Sequence, residues 1–139
     1  MNHSHIDEFD TDKLSNTVLE TSVDASVLVL SVFGTNALKA YEANTFLSRL
    51  RGLHAHLPMA HDEALLITPC NAIHTFGMPI AIDCIFIDHS GCVIEVKTVA
   101  RRWWSVCRRA AAVIEVNAGV SAQLGIAKGV QVERSRGQW

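Results

Sequence analysis

Neither sign of charge dominates this 139-residue sequence: twelve Lys and Arg stand against fourteen Asp and Glu, a formal net charge of −2. That balance removes the broad positive field by which proteins hold nucleic acid, so a nucleic-acid partner is not expected. Long apolar runs are missing too. Stretches such as residues 27–30 fall far short of the ~20 apolar residues of a membrane helix, and no membrane span is expected. The opening residues, Met1-Asn2-His3-Ser4-His5, lack a basic cluster followed by an apolar run. They do not read as a secretory signal, and the cytoplasm is the expected compartment. Cys70, Cys84, Cys92 and Cys107 include no CxxC pair, which excludes the usual zinc and dithiol-redox spacings. Three of them sit in apolar runs and read as reduced, buried thiols, although a Cys70–Cys107 disulfide stays open. The glycines at 125 and 129 lack the lysine–hydroxyl pair of a phosphate loop.

What is present suits one globular domain. Apolar residues make up 49% and charged residues 19% of the chain. A chain of this length buries roughly two-thirds of its unfolded surface. Residues 1–24 carry six acids against Lys13 and no apolar period, and read as a flexible acidic arm in which His3 and His5 are solvated. A β-rich domain is expected over residues 25–134, with a short tail at 135–139. Residues 27–33 suit a buried strand, Gly34-Thr35-Asn36 a turn, and residues 37–43 a returning strand. Asn44 or Thr45 can cap a short helix that puts Phe46, Leu47, Leu50 and Leu53 on one face, with Arg49 and Arg51 off it; Gly52 and Pro58 end it. His54, His56 and His61 then fall in a loop. Extended segments follow at 64–68, 71–76, 80–88, 92–97, 111–116 and 129–133, with a hairpin turn at Asp88-His89-Ser90-Gly91 and a brief helix over 118–124. The expected fold is mainly β: a single, mostly antiparallel barrel or sandwich with one or two short helices.

Two places carry chemistry. In residues 80–88 both strand faces are apolar, yet Asp83 lies among them. A buried carboxylate without partners costs several kcal/mol, so Asp83 must meet donors. His74, Thr75, Arg51 and backbone amides are the candidates. Either the carboxylate fixes the fold, or it belongs to a pocket with Arg51, His74, Thr75 and Met78. A metal-assisted or Cys/His hydrolase using His74, Asp83 and Cys70 is the enzymatic alternative, but the ligand set lacks a fourth member. Cys70 and His74 also lie roughly 13 Å apart along an extended strand. The second place is Arg101-Arg102-Trp103-Trp104-Ser105-Val106-Cys107-Arg108-Arg109, where arginines flank adjacent tryptophans. Arg and Trp are the residues most enriched at binding hot spots. The acidic arm offers a countercharge in cis.

Residues 44–53 (NTFLSRLRGL), 63–78 (EALLITPCNAIHTFGM), 82–96 (IDCIFIDHSGCVIEV), 111–119 (AAVIEVNAG) and 124–129 (LGIAKG) follow one family's order. From about residue 37 to residue 132 the chain resembles the bacterial family of domain of unknown function 192. The resemblance implies one small, mostly antiparallel β domain. It supplies no activity, and relatives near pilus-assembly and secretion systems imply an accessory role. The hallmark segment matches at His74, Thr75, Phe76, Met78, Ile82 and Asp83, and the arginine–glycine after the helix at Arg51 and Gly52. Ala81 stands where the family has proline, and Val130 follows Gly129 where the family has aspartate. The expected function is a non-enzymatic ligand- or protein-binding module with no cofactor. Its binding residues are Arg51, His74, Thr75, Met78, Asp83, Trp103 and Trp104.

Overall fold

The computed structural model describes residues 25–34, 36–43 and 59–139. Its first strands, β1 (Ala25–Val32) and β2 (Asn36–Ala43), make an antiparallel hairpin in register from Ala25↔Ala43 to Val32↔Asn36. Phe33 and Gly34 turn it with φ of 55° and 69°, a tight-turn geometry that glycine adopts freely and phenylalanine rarely. β1 alternates rather than being buried on both faces as expected. Leu28 and Leu30 point into the core, while Val27 and Val29 are each 44% exposed.

β3 (Glu63–Ile67) lies parallel to β2, from Lys39↔Glu63 to Ala43↔Ile67, the one parallel pairing in a sheet otherwise antiparallel. A parallel neighbour requires a crossover, and the chain makes it between Ala43 and Glu63. The helix expected there, with Arg49, Arg51, His54 and His56, lies outside the described residues, as does the acidic arm. β4 (Ala72–His74) is followed by β5 (Ile82–Ile87), β6 (Val93–Val99), β7 (Trp104–Val106), β8 (Ala112–Asn117), α1 (Val120–Gln123) and β9 (Val132–Arg134).

Seven strands form one curled sheet in the order β6-β5-β8-β3-β2-β1-β9, and β4 pairs with β7 in a separate ribbon. The sheet is a half-barrel. Its two ends meet at one corner, where Val93 N donates to Val130 O at 2.9 Å, Gly129 N to Val93 O at 2.8 Å and Val132 N to Gly91 O at 2.9 Å. Gly91 permits that approach. Its φ is 85°, and a Cβ there would collide with the Val132 carbonyl and the Trp139 indole.

The inner face gathers Leu30, Val32, Leu66, Ile85, Ile114 and their neighbours into one core. The outer face of β3, β5 and β8 carries a second, with Leu65, Phe86, Ile82 and Val113, and Ile73 of the β4–β7 ribbon packs into it. β5 therefore has apolar cover on both sides, as its sequence demands. Residues 135–139 pack back on the sheet: Ser135 N donates to Val29 O, and the Arg134 guanidinium bonds the carbonyls of Arg136 and Gln138 and the Glu42 carboxylate.

Candidate functional site

Asp83 is 1% exposed and its carboxylate is saturated. Thr98 Oγ1 donates to Oδ1 at 2.7 Å, and Gly119 N donates to Oδ2 at 3.0 Å. Ser121 donates to Oδ2 with both its hydroxyl and its amide. The donors come from β6 and from the start of α1, whose own N-cap residue, Gly119, has no side chain to offer. Asp83 thus caps a helix from a distant strand, satisfying amides that the first helical turn leaves open. The expected backbone amides are there, but the expected His74 and Thr75 side chains are replaced by the Thr98 and Ser121 hydroxyls, because Asp83 faces the inner core; Arg51 lies outside the described residues. His74 stands on the ribbon that covers the outer one. The two side chains lie on opposite faces of the sheet and do not share a site.

The other hallmark residues organise the ribbon. Thr75 is fully buried. Its amide donates to Trp103 O at 2.8 Å, its hydroxyl donates to Ala100 O at 2.5 Å, and the hydroxyl accepts Trp103 N at 2.9 Å. Its carbonyl accepts the amides of Arg102 and Met78. Met78, 8% exposed, fills the outer core beside Ile73 and Val99. Neither Thr75 nor Met78 presents a side chain to solvent. What Thr75 holds is the tryptophan loop, where Arg102 adopts a φ of 56°, uncommon for a residue with a Cβ.

That loop is the open face of the molecule. Trp103 is 62% and Trp104 59% exposed, and Val106 of β7, Phe76 just after β4 and Ile80 before β5 are exposed too. His74 pairs directly with Trp104 across the ribbon and stacks at a tilt on Phe76, ring centroids 5.7 Å apart. Arg101, Arg102, Arg108 and Arg109 are all exposed at the two ends of β7. Large apolar side chains left in water beside guanidinium groups mark a recognition surface more often than a structural one.

Between this ribbon and the large sheet runs a groove of about 410 Å³, lined by residues 97–99 of β6 and 103–106. Its volume falls within the range of ligand sites. Both walls are strand edges among the described residues: β6 ends the seven-stranded sheet and β7 pairs with β4 alone. Antiparallel pairs alternate between hydrogen-bonded and non-bonded. Since Thr75 bonds Trp103 and Cys107 bonds Asn71, the amides and carbonyls of Trp104 and Val106 point away from β4. Ser105 lies between them, 6% exposed, and its hydroxyl has no hydrogen-bond partner among the described residues. Nothing in the sequence pattern signals this groove, because its walls come from segments that alternation alone does not bring together.

All four cysteines are free, so the Cys70–Cys107 disulfide is not formed. Burial, and then the nearby Glu115 and Asp83 carboxylates, push the Cys84 thiol far above the ordinary cysteine range and leave it protonated. Among the described residues no three His, Cys, Asp or Glu side chains gather closely enough to hold a metal ion. No described helix is long and apolar enough to cross a membrane.

Known proteins place these features in a family context. The sequence profile of DUF192, described as an uncharacterized ACR, matches residues 29–134. A proposed transcription regulator from Sinorhizobium meliloti 1021 shares the fold with a TM-score of 0.73 at 20% identity, over 81% of this chain and 97% of that one. A protein of unknown function from Novosphingobium aromaticivorans DSM 12444 does so with a TM-score of 0.68 at 23% identity, over 77% of this chain and 84% of that one. At such identities the likeness carries the fold alone. No curated protein matches.

Proposed function

The chain belongs to the DUF192 family, whose common domain carries no assigned activity, and from that premise we propose that it is a non-enzymatic binding module. Its partner is a protein, held on the face built by Trp103, Trp104, His74 and the flanking arginines. The observation that supports this most is the exposure of two adjacent tryptophans on a loop clamped by the buried Thr75. A fixed backbone that holds large aromatics in water lowers the ordering cost of binding. Asp83 and Thr75 serve this face indirectly, by holding the framework.

An accessory role beside pilus-assembly or secretion machinery, which the family resemblance implies, fits a module of this kind. Its proposed setting is the cytoplasm, where its four free thiols stay reduced. The hydrolase alternative loses its shared centre, since Asp83 is enclosed by its own donors.

The test is quantitative co-purification from the native cells, with the Trp103→Ala/Trp104→Ala double variant as the control. A protein retained by the wild type and released by the variant, at unchanged melting temperature, is the expected result. Turnover of a substrate by pure protein, lost in His74→Ala, overturns the proposal.

A further inference from the structure

Resting on that reading, we infer that the bound segment is an extended, acidic stretch of the partner, which adds as a strand to the free edge of β7 in the groove facing β6. Four independent features meet there. The amides and carbonyls of Trp104 and Val106 point out of the ribbon, and among the described residues no strand lies beside them. The opposite wall, residues 97–99, lies on the end strand of the large sheet; the corner that joins β6 to β9 lies at Val93, and among the described residues this part stays open. Ser105 adds a buried hydroxyl without a partner among the described residues, a group whose desolvation a ligand donor or acceptor would compensate. Basic residues bracket the lining: Lys97 belongs to it, and the exposed Arg101, Arg102, Arg108 and Arg109 flank its 103–106 segment in the chain. Lys97 already meets Glu95 at 3.1 Å, so the arginines are the groups that select carboxylates.

An extended peptide satisfies all four at once. Its main chain pairs with the β7 edge, alternate side chains lie on Trp104 and Val106, and intervening acids reach the arginines. A single strand of nucleic acid would stack on the tryptophans and meet the arginines, but it carries no main-chain amides at a strand's two-residue repeat. A helix would leave the β7 edge unpaired.

The experiment selects a displayed library of random ten-residue segments on the intact protein, with Trp104→Ala as the counter-selection. Enriched peptides are then synthesised with and without N-methyl groups on alternate amides. Expected are sequences alternating Asp or Glu with β-branched or aromatic residues, and amide hydrogen exchange slowed at Trp104 and Val106. N-methylation should weaken binding by about tenfold, the loss of one or two hydrogen bonds. Enrichment of basic or helix-patterned peptides, or indifference to N-methylation, overturns strand addition while leaving a Trp104-dependent binding face intact. No enrichment over Trp104→Ala overturns both. Tighter binding of an oligonucleotide of mixed sequence than of any selected peptide, or dimerisation of the chain that Trp104→Ala abolishes in sedimentation, also overturns it.

Discussion

Asp83 and Ser105 are both polar side chains set into apolar strands, 1% and 6% exposed, and the fold treats them in opposite ways. Around Asp83 it supplies donors from β6 and the start of α1 until the carboxylate is saturated. Among the described residues it supplies none around Ser105 and pairs nothing with the adjacent strand edge. A polar group that the chain satisfies itself belongs to the framework. One that the chain leaves open, next to exposed aromatics and free main-chain groups, points outward to a ligand. The contrast is between a finished interior and an unfinished surface, and substitutions on the two sides should separate stability from recognition.

The largest effect is expected inside. Asp83→Ala leaves the Ser121 hydroxyl and two amides facing an apolar void, and should lower unfolding free energy by about 3–4 kcal/mol in urea denaturation. A loss under about 1 kcal/mol would mean that α1 finds another cap and that the contrast is misplaced. Thr75→Val comes next. It keeps the shape but strips the acceptor from Trp103 N and the donor from Ala100 O, at a cost of about 2 kcal/mol. Because Thr75 ties the framework to the face, it should be the one interior change that also weakens partner binding, with faster amide exchange at Trp103. Stability lost without any change at Trp103 would separate the two regions more sharply than proposed here.

Much of the interior was legible in the sequence. Apolar residues on both faces of 80–88 required a central strand, and a carboxylate among them required donors. Alternation over 92–97 placed β6, and Asp88 to Gly91 placed its turn, because turn and period are local signals. The identity of the donors was not legible. Thr98 and Ser121 reach Asp83 only through the pairing of β5 with β6 and the packing of α1, which no spacing encodes. β7 was missed for a related reason: three residues between pairs of arginines show no period, and the strand exists because Thr75 and Asn71 bond its two ends. The Trp–Arg composition singled out this segment as a binding candidate, but that both tryptophans are exposed, and that a groove runs beside them, belongs to tertiary structure.

On the surface the expected stability changes shrink. Trp104→Ala removes a side chain already 59% exposed, and its cross-strand contact with His74 is worth under about 1 kcal/mol. Its melting temperature should stay near that of the wild type while binding to the face is lost. A large destabilisation would instead make Trp104 part of the core, and the exposed aromatics would cease to mark a binding surface.

The smallest change is the most discriminating. Ser105→Ala removes a buried hydroxyl that meets no partner among the described residues, so it should leave stability within about 0.5 kcal/mol, with any shift toward greater stability. If the hydroxyl exists to meet an incoming segment, the same substitution weakens binding even though the free protein is no worse off. That opposition, neutral or favourable for folding and unfavourable for recognition, is the signature of a group retained for function. Differential scanning calorimetry, paired with titration of a selected peptide, reads both halves. Were Ser105→Ala to destabilise the free protein by more than about 1 kcal/mol, the hydroxyl would already have a partner, and Ser105 would belong with Asp83 on the finished side of the comparison.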